Sequence, residues 1–188
     1  PGGRRACRLR EGLLQVMATA VIATIGEDRP GLVNELSELV VRLNLNIEDS
    51  RMTVLAGEFA VLMSVAGEDA LLDELEQQLN ALCADSGLAH LFRRSTQRAA
   101  EDSLACQARV IAMDHPGIVN RIAGFFSSRG INIRELNTET EHAAHTGTPI
   151  FNLTLTVELS AHTNAATLAS AFEAFCDEHS LDGTLRSD

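Results

Sequence analysis

The sequence predicts an α+β protein built from two copies of a βαββαβ unit, each with a four-stranded antiparallel sheet, and three observations predict it. A heptapeptide recurs: Asp28-Arg29-Pro30-Gly31-Leu32-Val33-Asn34 returns as Asp114-His115-Pro116-Gly117-Ile118-Val119-Asn120, and Asn46-Ile47 returns as Asn132-Ile133, all at an offset of 86 residues. After each copy the apolar periodicity switches between strand and helix in the same order. Finally, a long period present only twice is too few copies for a solenoid, and it divides 188 residues into two units that can each hold a core.

In the first unit Val16 to Ile25 is β-rich and ends at Gly26. Leu32, Val33, Leu36, Leu39, Val40 and Leu43 then recur at helical spacing. Asn46 to Ala56 and Glu58 to Ala66 read as two strands joined at Gly57, where glycine tolerates the positive φ of a tight hairpin turn. Leu71, Leu72, Leu75, Leu79, Leu82 and Cys83 mark a second helix that stops near Gly87, and Leu88 to Phe92 supplies a fourth strand.

The second unit repeats the order: strand Ala105 to Met113, helix core Ile118, Val119, Ile122, Phe125 and Phe126, then strands around Ile131 to Thr140 and Ile150 to Leu159. Leu168, Phe172, Phe175 and Cys176 trace its last helix, and Leu181 to Leu185 its last strand. At the 86-residue offset Leu43 becomes Arg129, so that end of the second copy's helix is expected in solvent. This order is the ferredoxin-like arrangement, with both helices on one sheet face and right-handed crossovers. The expected domains are residues 16–93 and 104–188, with a polar linker at 94–103 and a basic extension at 1–15, cloned or mis-started, outside the fold.

The two sheets differ on their outer faces. Phe151, Leu153, Leu155 and Val157 alternate with Asn152, Thr154, Thr156 and Glu158, one dry and one wet face. In the first unit Phe59, Val61, Met63 and Val65 alternate instead with Ala60, Leu62, Ser64 and Ala66, which predicts an association surface there. The stretch from Glu141 to Pro149 makes the second hairpin loop longer than its counterpart at Gly57.

Composition excludes several functions. With 45% apolar and 22% charged residues the chain is ordinary globular material, and no apolar run is long enough to cross a bilayer as a helix. The formal charge is −11, and setting aside the first sixteen residues, with four arginines and one acid, leaves 11 arginines against 25 acids, or −14. Such a body repels phosphate backbones, so direct nucleic-acid binding is not expected. All 15 basic residues are arginine, which rules out a lysine Schiff base. Cys7, Cys83, Cys106 and Cys176 form neither a disulfide framework nor a zinc pattern, which fits a reducing cytoplasm.

The repeated loop carries the chemistry. Asp28 and Asp114 precede a Pro-Gly pair at a helix start, where the carboxylate could accept the amide of Gly31 or Gly117 and proline loses nothing by lacking a donor. A glycine without Cβ lets a ligand approach the backbone, and first-turn amides point at any small anion, such as an amino-acid carboxylate. One copy alone would be a well-capped helix start; capping, however, does not require Pro-Gly followed by Val-Asn twice. Asn46 and Asn132 are expected at strand entries beside the loop, either as amides that bind a carboxylate and an ammonium or as turn residues.

With D-R-P-G-L-V-N followed by L-N-I-E-D-S-R, then D-H-P-G-I-V-N followed by G-I-N-I-R-E-L and a T-G-T-P-I-F hairpin, the chain resembles tandem ACT domains from Met17 to Leu185. More narrowly it is similar to the glycine cleavage system transcriptional repressor family. The resemblance implies a regulator that senses a small amino acid, glycine or similar, and controls transcription by binding a DNA-binding transcription factor rather than DNA. It also implies a homodimer or larger homo-oligomer, with the effector held between paired domains. The site residues it implies are Asp28, Pro30, Gly31, Leu32 and Asn46 in the first copy and Asp114, Pro116, Gly117, Ile118 and Asn132 in the second. Asp28 and Asp114 depart from the Asn or His common in such sites, so each aspartate caps its helix or faces the ligand ammonium.

Two rival readings stay open. One is a regulatory subunit or detached regulatory region of a metabolic enzyme such as the formyltetrahydrofolate deformylases, which begin with a similar segment. The other is a dimerisation module without a ligand. No cofactor, metal or catalytic residue is expected: His142 and His145 lack a suitable third ligand, His115 replaces Arg29 in the repeat, and Cys83 and Cys176 fall on core stripes.

Overall fold

The computed structural model describes residues 17–95, 103–142, 146–160 and 162–187. The basic extension, most of the linker, Cys7 and the H-A-A-H segment beyond His142 lie outside the described residues. The chain divides into two compact units between Ala99 and Ala100.

The first unit runs β1 (Met17–Glu27), α1 (Leu32–Arg42), β2 (Asn46–Leu55), β3 (Glu58–Glu68), α2 (Asp69–Ser86) and β4 (Ala89–Ser95). The second runs β5 (Ser103–Met113), α3 (Ile118–Ser127), β6 (Asn132–His142), β7 (Pro149–Ser160), α4 (Ala165–Glu178) and β8 (Asp182–Ser187). The sheet orders are β2-β3-β1-β4 and β6-β7-β5-β8, all pairs antiparallel. Each unit is thus βαββαβ as its periodicity predicts. β1 runs to Glu27, past Gly26, because it keeps its pairing with β3 as far as Glu58.

Each core forms where the helices meet one sheet face. In the first unit alternate β1 residues Ala20 and Ile22 and β3 residues Phe59, Val61, Met63 and Val65 pack against Leu36, Leu39 and Val40 of α1 and Leu72, Leu75 and Leu79 of α2. The second core is richer in aromatic rings: Phe125, Phe126 and Phe172 meet edge-on or tilted with centroids 5.1 to 5.3 Å apart. Arg129, at the place of buried Leu43, is exposed and lays its guanidinium 3.7 Å from the centroid of Phe125.

The hairpins differ as their lengths predict. Ala56 and Gly57, both at positive φ, close β2 onto β3 with the two-residue geometry that matches strand twist. In the second unit pairing continues to His142 and Pro149, so the strand extends into the stretch expected as loop. Both units share a β-bulge that periodicity does not predict. The register slips between Ile47 and Asp49 in β2 and between Ile133 and Glu135 in β6, two residues after each repeated asparagine.

Candidate functional site

The two repeated loops have one backbone geometry. Gly31 (φ 97, ψ −11) and Gly117 (φ 96, ψ 0) are both left-handed helix N-caps, and their carbonyls accept from Glu35 N at 2.9 Å and Arg121 N at 3.0 Å. Each loop is tied to its hairpin by a backbone bond, Asp28 N to Gly57 O and Asp114 N to Pro149 O, both 3.1 Å. The glycines are required by these dihedrals, which place a Cβ against the backbone in any L residue. Crowding plays no part: a Cβ at Gly117 would meet nothing within 4 Å.

The expected capping by aspartate is corrected. The cap residue is Gly31 or Gly117, and no side chain caps either helix. The left-handed glycine turns the chain into the helix directly, so the aspartate, three residues earlier, falls before the cap position. Asp28 and Asp114 stand exposed at the loop entry, and Pro30 and Pro116 are exposed beside them. Leu32 and Ile118 are each only 2% exposed; their side chains belong to the cores, and what they can offer a ligand is the backbone.

The asparagines are not beside the loop of their own unit. Asn46 pairs with Ala66, which pairs with Thr19 at the start of β1, whereas Asp28 follows the end of that strand. Nine residues of extended chain separate the two levels, about 30 Å. Asn132, paired with Glu158 opposite Ala105, stands at the same remove from Asp114. An antiparallel register imposes this, since β2 starts where α1 ends, at the far end of the sheet.

What the first loop does adjoin is an open depression of about 620 Å³, lined by residues 28–34, Ser37, Met52 and Phe59. That volume suits a small ligand. Its walls are polar at Asn34 and Ser37 and apolar at Pro30, Val33, Met52 and Phe59. Met52, 54% exposed, lines this depression and is not flagged by the repeat, although an apolar residue in the polar stretch 48–53 is a signal for it. In the second unit Thr138 takes its place, paired with Leu153 as Met52 is with Val61.

The loops also differ in charge. Arg29 Nη1 and Nη2 donate to Glu35 Oε1 and Oε2 at 2.6 and 2.7 Å, and Nη2 reaches Ser86 Oγ at 3.4 Å. This fork raises the Arg29 pKa and lowers that of Glu35, mainly through the hydrogen bonds. Glu35 stands in the first turn of α1, where a carboxylate complements the helix dipole. In the second copy His115 and Arg121 occupy the two places, so the exchange removes the acid and leaves a cation beside the helix start. Among the described residues no three His, Cys, Asp or Glu side chains gather as a metal site, and no helix is long and apolar enough to cross a membrane.

Two successive βαββαβ units with matching left-handed glycine loops define a tandem-domain architecture, and comparison with known proteins gives it a family. Models of the ACT domain match residues 18–92 and 107–177. The glycine cleavage system transcriptional repressor of Escherichia coli (strain K12) is 30% identical over 166 residues, 88% of this chain and 87% of that protein. A crystal structure of a protein from Galdieria sulphuraria superposes with a TM-score of 0.74 at 26% identity, covering 92% of this chain and 99% of that one. A crystal structure described as a glycine cleavage system transcriptional repressor gives 0.70 at 24% identity, covering 92% and 98%. The chain belongs to the glycine cleavage system transcriptional repressor family of tandem ACT-domain proteins.

Proposed function

We propose that the chain is a non-catalytic regulator that senses a small amino acid and controls transcription of glycine cleavage genes by binding a DNA-binding activator. The observation that carries this reading is the pair of superimposable left-handed glycine loops, kept in both units of a chain whose relative is named for that repression. The ligand carboxylate is received by the backbone amides at Gly31–Leu32 and Gly117–Ile118, beside Pro30 and Pro116. Asp28 and Asp114, which do not cap, face the ammonium. Asn46 and Asn132, each about 30 Å from its own loop, serve as strand amides toward ligand held by the loop of a second copy of the chain. The net charge of −11 favours a basic protein surface as partner over nucleic acid. Ligand acts by binding one assembly or partner-bound state better than the other.

Calorimetric titration with glycine, serine, alanine and larger amino acids tests the reading. Saturable binding that Gly31→Trp or Gly117→Trp abolishes is the expected result, and silence with every amino acid refutes it. Capture from lysate on the immobilised chain, with and without the bound amino acid, then distinguishes a transcription factor from a metabolic enzyme as the retained partner.

A further inference from the structure

The outer face of the first sheet, turned away from α1 and α2, is apolar where the matching face of the second sheet is polar. One row across the first sheet, fixed by the ladder registers, reads Arg51, Leu62, Ala23, Leu91. The corresponding row of the second sheet reads Asn137, Thr154, Arg109, Thr184. Leu62 and Leu91 are 49% and 58% exposed and join Ile25, 50% exposed, in one patch across the sheet, whereas the apolar residues of the second face, Ile111 and Met113 at 49% and 73%, stand at the end of one strand. Solvated apolar side chains gathered on one face mark an interaction surface.

We propose that this face pairs with the same face of a second copy of the chain, about a two-fold axis running along the strands. Size supports a copy as occupant. Four strands spaced ~4.8 Å apart and eleven residues rising ~3.4 Å each span up to about 700 Å² per copy, about 1,400 Å² in the pair, within the ~1,200–2,000 Å² of stable complexes. Charge supports the axis. One row along, the β2 edge carries Asp49, whose Oδ1 already accepts from Arg51 Nη1 and has its second oxygen to offer, and the β4 edge carries Arg93, joined in register through Ser64 and Val21. A two-fold axis along the strands lays the β2 edge of one copy over the β4 edge of the other, which sets each Asp49 opposite an Arg93 and closes the apolar centre over Leu62 and Ala23. Two isologous contacts of one kind satisfy both edges. The second sheet's face, with Glu135, Glu139 and Glu158, offers no such complement to an apolar surface.

Sedimentation equilibrium of the full chain tests this. The expected mass is twice 20.2 kDa, or a multiple of it. Leu62→Glu and, separately, Ile25→Glu each raise the dissociation constant of that step at least ~100-fold, because the axis sets these positions over Ala23 and Ala60 of the other copy and each variant buries two carboxylates without a cation opposite. Both positions are half exposed, so the variants keep the wild-type circular dichroism, and Ile25→Glu decides the matter if Leu62→Glu does not fold. Thr154→Glu on the second sheet leaves the mass unchanged, and Arg93→Glu weakens pairing about tenfold. A wild-type chain that is monomeric at about 100 µM overturns the proposal, as does a folded Ile25→Glu that associates as wild type does. Arg93→Glu without effect overturns the axis.

Discussion

Replacing Gly117 by alanine isolates the strain that the repeated loop imposes. The residue sits at φ 96, ψ 0, and a Cβ there meets nothing within 4 Å, so neither lost contacts nor a clash enters the result. What remains is the repulsion between Cβ and backbone in the left-handed region, worth about 1–2 kcal/mol. For a unit of this size 1 kcal/mol moves the melting temperature by roughly 4–8 °C, so a drop of about 4–16 °C is expected in the transition of the second unit. Asparagine tolerates left-handed backbone better, so Gly117→Asn loses about half as much. Gly31→Ala, whose Cβ would make only an ordinary 3.7 Å contact with Glu35 Oε1, repeats the experiment in the first unit. Differential scanning calorimetry gives the values. A Gly117→Ala protein that melts within 1 °C of wild type refutes the argument that dihedrals, and not the ligand alone, require these glycines.

Three further outcomes are expected. Gly183→Ala drives a Cβ to 2.3 Å from Cys176 Sγ and 3.3 Å from Phe172 Cε1 in a closed core, costing about 1–3 kcal/mol in urea unfolding, and adding Cys176→Ala recovers part of the loss. Thr24, 2% exposed with no hydrogen-bond partner for its Oγ1 among the described residues, occupies the place of Val110; Thr24→Val stabilises the first unit by about 1 kcal/mol, and a lower melting temperature contradicts the reasoning. Burial, with Asp177, Asp182 and Glu173 adding to it, pushes the Cys176 thiol up to about 11, so its contribution to stability is intact below the ordinary thiol value of 9.0 and is lost as pH rises toward 11; alkylation at pH 9 is slow in the native protein and rapid in urea.

The element order was legible because each stripe, such as Leu32-Leu36-Leu39-Val40 or Phe151-Leu153-Leu155-Val157, reflects a local period that burial on one face imposes. The duplication was legible for a simpler reason: the loop dihedrals disfavour any residue with a Cβ, and the Pro-Gly pair is present in both copies. What depends on pairing was not legible. The position of Asn46 at the level of Thr19, and the bulge after it, follow from how β2 meets β3, which no local pattern encodes. The Arg29–Glu35 fork spans six residues across a turn, outside helical spacing, and the capping role expected of Asp28 failed because a left-handed glycine shifts the cap by three positions. The apolar outer face of the first sheet was visible in Leu62 alone; Ile25 and Leu91 join it only once the register places them alongside.

The inserted residue in β2 and β6 bears on solubility. In the order β2-β3-β1-β4 the strand β2, one of the two edges, has a rim of backbone donors and acceptors that any extended peptide could use as a template, the route by which sheets grow into fibrils. Glu48 and Arg134 each stand unpaired in the ladder, bend that rim and put a charge on it. At that end a foreign peptide meets a kinked, charged rim in place of a straight one, while the seven residues from Asp49 to Leu55 keep a regular register.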